Sequence, residues 1–274
     1  MMESFVVSES KNLTRKECWK MVNEACDEAL HGARERIFAH PFTQELKAGT
    51  LPLECIRGWL LNSYAWALEI NMAAPEKYYR FNDILSQKVD LLAMLADKYA
   101  DEFASPGRGG HQRTMDILGK ALGLDPKEMQ EYRQLAAMRG MLDSTVWANE
   151  TGLRLSMSIA EEWIGEWCAI WFESLIKYYG LSESEAYYFR LHAEADALGD
   201  HEAGSAIGHE IMGHGQSHRY LAVRMLEDGL LTPEEMRQMV ARSAGADSYV
   251  NFLDALYDTY HPERKFSDIE QTRR

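Results

Sequence analysis

The chain has 274 residues, of which 46% are hydrophobic and 26% charged, and a formal net charge of −14. This length buries a full core, and the acidic balance excludes nucleic acid as a partner, since phosphates need a basic patch. No apolar run reaches the roughly 18 residues of a membrane span, and MMESFVVSESKNLTRKE lacks the basic start and apolar block of a secretion signal. Cys18, Cys26, Cys55 and Cys168 are scattered without CxxC spacing, which points to reduced thiols in a cytoplasmic protein. No internal repeat or low-complexity linker divides the chain. The expectation is one domain over 1–274, with residues 1–12 flexible and 265–274 a tail.

Helical punctuation runs throughout. Thr14-Arg15-Lys16-Glu17 reads as a capping box, followed by a stripe of Trp19, Val22, Cys26, Ala29, Ala33 and Ile37. Pro52 opens a second helix, CIRGWLLNSYAWALEINM, apolar nearly all round and therefore buried. A third is predicted from Leu85 to Phe103, ending before Pro106-Gly107. Asp125-Pro126-Lys127-Glu128, Ser182-Glu183-Ser184-Glu185 and Thr232-Pro233-Glu234-Glu235 each carry a cap and a glutamate three residues on. Gly180 suits a helix stop. No strand alternation or hairpin signal stands out. The fold class is all-α, one helical bundle of roughly seven or more helices.

The stretch from His192 to His218 holds five of the nine histidines. His209 and His214 are at i and i+5, which on a helix puts them about 140° apart, so the HExxH zinc-protease arrangement is rejected. His214 and His218 align with Ile207, Ile211 and Met225 and read as core or interface. The one ExxH, Glu28 to His31, shares a face with Glu17, Glu24 and Glu35 and reads as solvated surface. Inward acids are more informative, because a carboxylate on an apolar stripe needs a partner or a metal. Glu102 lies on the stripe of Leu92, Leu95, Tyr99 and Phe103, with Asp90, Asp97 and Asp101 opposite. Glu161 continues the stripe of Ile164, Cys168, Trp171 and Leu175, while Glu162 joins Glu166, Glu173 and Lys177 on the polar face. Each of the two inward acids is also explained by a buried salt bridge. His192 and Asp196 are an i,i+4 pair on one face, a ligand pair common for non-heme iron and also an ordinary hydrogen-bonding pair. His111, after the turn PGRGGH, offers another nitrogen.

HPFTQELKAGTLPLECIRGWLLNSYAW resembles the opening segment of the thiaminase II and pyrroloquinoline-quinone-synthase group, which has the heme-oxygenase-like fold. DEFASPGRGGHQRTMDILGKALGL, the Glu161 helix and YYFRLHAEAD resemble one branch of that superfamily, the heme-oxygenase-like diiron oxidases and oxygenases. The resemblance covers roughly residues 15–260. It implies two irons held between core helices by Glu102, His111, Glu161, His192 and Asp196, with a final histidine of the pattern HxxxDxxH. Here the i+7 position is Gly199, and either His201 or Asp200 is left for the last ligand. A π-bulge would bring one of them round, and His201 keeps the ligand type.

The implied activity is a non-heme iron-dependent oxidoreductase. It takes Fe(II), two per chain, and O2 as cosubstrate, and acts on an amino-acid-like or fatty-acid-like small molecule by desaturation, N-oxygenation or C–C cleavage. An external electron donor and a homodimer follow from family habit, with no nucleic acid or membrane partner. Trp66, Trp163, Trp167, Trp171, Tyr64, Tyr187 and Tyr188 line a pocket, guide electrons or simply pack the core. The alternatives are a metal-free oxidase like pyrroloquinoline quinone synthase, a thiaminase II-type hydrolase using Cys168, or a non-catalytic ligand-binding bundle.

Overall fold

The computed structural model of the chain describes residues 13–80, 82–104, 107, 109–147, 159–195, 205–207, 210–212 and 214–263. The segment expected to be flexible, 1–12, and the tail, 265–274, lie outside them. Caps set the helix starts. Thr14 opens α1 (Arg15–Ala39) with a two-way box: its hydroxyl accepts the Glu17 amide, and Glu17 accepts the Thr14 amide at 2.8 Å. The buried face of α1 is Cys18, Val22, Cys26, Leu30, Ala33 and Ile37, while Trp19 and Ala29 only flank it. His40 caps α2 (Pro41–Ala48): Nδ1 accepts the Phe42 amide at 3.1 Å and Nε2 faces Asp254 at 3.1 Å.

The second long helix, α3 (Leu53–Arg80), buries Cys55, Ile56, Trp59, Leu60, Leu61 and Tyr64, as its all-round apolar character predicts. The expected third helix divides into a single turn, α4 (Asn82–Leu85), and α5 (Val89–Ala104), which stops short of Pro106. After α6 (Gly110–Ala121), Asp125 caps the short α7 (Pro126–Glu131), and α8 (Ala136–Trp147) follows. Gly180, at φ 74°, ends α9 (Glu161–Tyr179) in the left-handed region. The Ser182–Glu185 box forms its hydrogen bonds, but it closes a turn, and α10 (Tyr187–Ala195) starts two residues later. Thr232 caps α12 (Pro233–Ser243) as expected, between α11 (His214–Glu227) and α13 (Ala246–Tyr260).

The all-α class holds with one difference. Ser205–Ile207 (β1) and Glu210–Met212 (β2) pair antiparallel as a small hairpin against α5. Ile207 and Ile211 therefore lie on strands and not on the helix of His218, while His209 falls outside the described residues. His218 itself is buried on α11, as a core position requires. The pattern was unreadable because three-residue strands are too short for alternation to register.

The helices share one continuous core. α1 packs on α11, α12 and α13; α3 on α6, α7, α8 and α13; α9 on α10 and α2. Trp59, Trp163, Trp167, Trp171 and Phe189 lie at its centre. No helix among the described residues is long and apolar enough to cross a membrane.

Candidate metal centre

The turn between α5 and α6 joins two of the expected ligands. Gly109 and Gly110 both have positive φ, at 101° and 54°. A Cβ on Gly110 would stand 2.0 Å from the carbonyl oxygen of Glu102, so the start of α6 rests on the last turn of α5 with only a glycine between. That close approach places His111 beside Glu102. His111 Nδ1 lies 2.8 Å from Glu102 Oε2, with the histidine 1% and the glutamate 18% exposed at the side chain.

The approach lies off the line a hydrogen bond needs, and both ring nitrogens of His111 are buried without a hydrogen-bond partner among the described residues. A buried polar group left so costs about 1–3 kcal/mol and calls for an explanation such as a bound ion. Helix α10 supplies the third member. The rings of His111 and His192 meet edge to face, 4.8 Å between centroids, and Tyr188, one turn before His192, packs its ring 4.6 Å away on another side. Glu102, His111 and His192, spread over 91 positions of the chain, thus come to one place.

These residues supply the donor types that hold iron, a carboxylate and two imidazoles. Ligand atoms at right angles on bonds of ~2.1 Å stand ~3 Å apart, close to the Glu102–His111 separation. Among the described residues no group of three or more His, Cys, Asp or Glu is placed to hold a metal ion. The Glu161 side chain, Asp196, Asp200 and His201 lie outside the described residues, as do His209 and the His214 side chain.

Two helical-face assignments need correction. Glu162 is not on a solvated face. Its side chain is 4% exposed and receives two hydrogen bonds from Arg219 on α11, at 2.7 and 2.9 Å. The burial face of α9 includes Trp163 and Trp167 and so is wider than the stripe suggested; an acid at its margin finds a buried cation. Phe103, counted on the Glu102 stripe, is 37% exposed, because α5 ends one residue later. Leu92 packs against the core, and the side chains of Leu95, Tyr99, Asp97 and Asp101 lie outside the described residues. Asp90 is exposed, as expected, and pairs there with Arg224. His31 is exposed and paired with Glu35 at 3.2 Å, as a surface residue should be.

Sequence reasoning missed the role of Gly110, although the doubled glycine before His111 was its signal. It also missed Arg219, a basic residue on a helix otherwise read for its histidines. Within the aromatic core, the hydroxyl of Tyr249 accepts the Trp59 indole N–H at 3.3 Å. Burial pushes this phenol well above its ordinary pKa.

Known proteins similar to this chain agree with its architecture. Residues 28–153 match the model of the TENA/THI-4/PQQC family. A TenA homolog from Pseudomonas syringae pv. tomato superposes with a TM-score of 0.58 at 12% identity, covering 93% of this chain and 100% of its own. A domain of unknown function with a heme oxygenase-like fold, from Shewanella denitrificans, superposes with a TM-score of 0.59 at 13% identity, covering 90% and 94%. No curated protein sequence matches significantly. The fold is heme-oxygenase-like. The segment that matches the TENA/THI-4/PQQC family model includes both Glu102 and His111.

Proposed function

We propose that the protein is an O2-activating, non-heme diiron oxidoreductase acting on a small molecule. The observation that carries this reading is the meeting of Glu102, His111 and His192, with both His111 ring nitrogens buried and lacking a hydrogen-bond partner among the described residues. A carboxylate and two neutral imidazoles are the donor types that hold ferrous iron and leave room for O2. Iron bound there would supply the binding and reduction of O2. The protein's part is to hold these donors in fixed directions: Gly110 seats His111 on the Glu102 turn, and Tyr188 and His111 bracket the His192 ring. Arg219 occupies Glu162, which favours Glu161 as the α9 donor, and Asp196 with His201 or Asp200 completes the set. The substrate class remains amino-acid-like or fatty-acid-like, with desaturation, N-oxygenation or C–C cleavage as the outcome, and an external donor supplies electrons.

The family match also favours a metal-free reading, as in pyrroloquinoline quinone synthase or a thiaminase II-type hydrolase. For the latter, Cys168 is a buried thiol on α9. Anaerobic loading with Fe(II), removal of excess and a colorimetric iron assay separate the two. The wild type is expected to keep about two irons per chain, as in carboxylate-bridged bundle sites. Glu102→Ala, His192→Ala and Glu161→Gln should lose iron while Glu162→Gln keeps it. An iron-free wild type, or equal iron in all variants, overturns the reading.

A further inference from the structure

From the candidate site a row of aromatic rings crosses the core. His192 touches Tyr188, and Tyr188 lies 6.2 Å from Trp59, centroid to centroid. Trp59 meets Trp171 at 4.9 Å and Trp167 at 6.0 Å, and those two are 5.3 Å apart. Trp167 meets Tyr249 edge-on at 5.2 Å, and Tyr249 is the partly exposed member of the row. Every step is a ring contact, close enough for fast electron tunnelling.

Packing alone explains this row poorly. Trp171 is fully buried, and its indole N–H has no hydrogen-bond partner among the described residues. A buried indole belongs where its N–H finds an acceptor, and a phenylalanine would fill the layer without that cost. Trp59 has only a long 3.3 Å bond to Tyr249. What the indoles offer that phenylalanine lacks is ready loss of an electron.

We propose that Trp59, Trp171 and Trp167 are the stations of an electron relay between the Glu102–His111–His192 site and the surface at Tyr249. The proposal rests on the reading of that site as oxygen-activating. An oxygen-derived oxidant at the site takes one electron from Trp59 across the ring of Tyr188, leaving an indole radical cation. Trp171 or Trp167 refills Trp59. The remaining vacancy is filled through Tyr249 by a solvent reductant of the thiol or ascorbate class, which ends one electron poorer. No bond is made or broken and no proton moves within the row, because the indole holds the vacancy as a cation; the reductant releases its own proton to solvent. The buried Tyr249 phenol keeps its proton and serves as a bridge. The relay spares His192 and Tyr188 from oxidation when oxidant forms without substrate.

The test needs no iron. The four native cysteines are buried, and Glu102 is partly open, so Glu102→Cys in the full chain directs a ruthenium polypyridyl label to the site itself. A flash with a cobalt(III) quencher makes ruthenium(III), which takes one electron from the protein. Transient absorption should show a tryptophan radical, and added ascorbate should shorten its life. The radical should be lost in Trp59→Phe, with the fold checked by circular dichroism. Should Trp59→Phe fail to fold, Trp171→Phe combined with Trp167→Phe removes the next stations and should slow the decay by ascorbate, leaving only the Trp59–Tyr249 hydrogen bond; an unchanged decay overturns their part in the relay. Absence of a tryptophan radical in the parent, or an undiminished one in Trp59→Phe, overturns the relay. Iron binding by the unlabelled protein is measured separately, so loss of either conclusion leaves the other readable.

Discussion

Arg219 and His111 are both polar groups buried in the same core, and their surroundings treat them in opposite ways. Arg219 donates two hydrogen bonds to Glu162, one to Asn23 at 3.0 Å and one to Asp27 at 2.7 Å. Burial works against its charge, but the bonds to Glu162 and Asp27 outweigh burial and hold the guanidinium above its ordinary pKa. That cluster is closed: its donors and acceptors answer one another and tie α1, α9 and α11 together. The cluster around His111 is open, with a carboxylate nearby but both ring nitrogens lacking hydrogen bonds. Closed polar networks hold a fold in register. An open one, kept at a cost in stability, is where a ligand completes the set.

The comparison breaks most visibly at Arg219. Arg219→Met leaves the Glu162 carboxylate buried without its cation, and such a change costs about 3–5 kcal/mol. Urea denaturation should report that loss, while the folded fraction keeps its iron. Adding Glu162→Leu should recover most of it, because the pair together gains little over apolar residues of similar size. A loss below about 1 kcal/mol for Arg219→Met would put the pair in the class of weak surface bridges and dissolve the contrast.

Gly110 tests the geometry of the open cluster. An alanine there has positive φ and a Cβ 2.0 Å from the Glu102 carbonyl, so the α5–α6 turn must open. A strained backbone position of this kind costs about 1–3 kcal/mol, and iron content should fall with it. His111→Phe is the converse. It removes ring nitrogens that make no hydrogen bond, at the loss of the 2.8 Å approach to Glu102, so stability should change by about 1 kcal/mol while iron is lost. A severe loss of stability with iron retained would make His111 a structural group like Arg219.

These contrasts also divide what the sequence made legible from what it did not. Caps at Thr14, Asp125 and Thr232 and the stop at Gly180 are local chemistry, complete within four residues, and they read directly. Glu102 was legible as an inward acid because its misfit with an apolar stripe is also local. Glu162 was misread because its partner is 57 residues away, and no stripe reports a cation on another helix. The Ser182 box misled in another way, since the same hydrogen bonds close a turn as readily as a helix. The hairpin at 205–212 had too few residues to declare a period. Asp196 and His201 lie outside the described residues, so their part of the expected site stands on the sequence alone.

The smallest expected effect uses Cys26, which lies beside the closed cluster. Its thiol is pushed up from 9.0 to about 12, chiefly by burial, with Arg219 pulling it down and Glu162 and Asp27 pushing it up. The sign follows from which state ionises first. Below pH 9 the thiol is protonated in both states and its contribution is fully present. As pH rises above 9 the unfolded chain loses the proton and the folded chain keeps it, so unfolding gains free energy until the folded thiol ionises near 12. The loss approaches ~1.4 kcal/mol per pH unit inside that window. Tyr179, raised from 10.0 to about 12 mainly by burial, adds a similar loss beginning a unit higher. Urea midpoints compared at about pH 8 and pH 10 should therefore fall with pH in the wild type and fall less in Cys26→Ala. The small cavity left by the alanine shifts both midpoints together and leaves their difference untouched. If Cys26→Ala keeps the wild-type difference, the thiol is not held neutral by this surrounding, and the closed cluster is wetter than its hydrogen bonds imply.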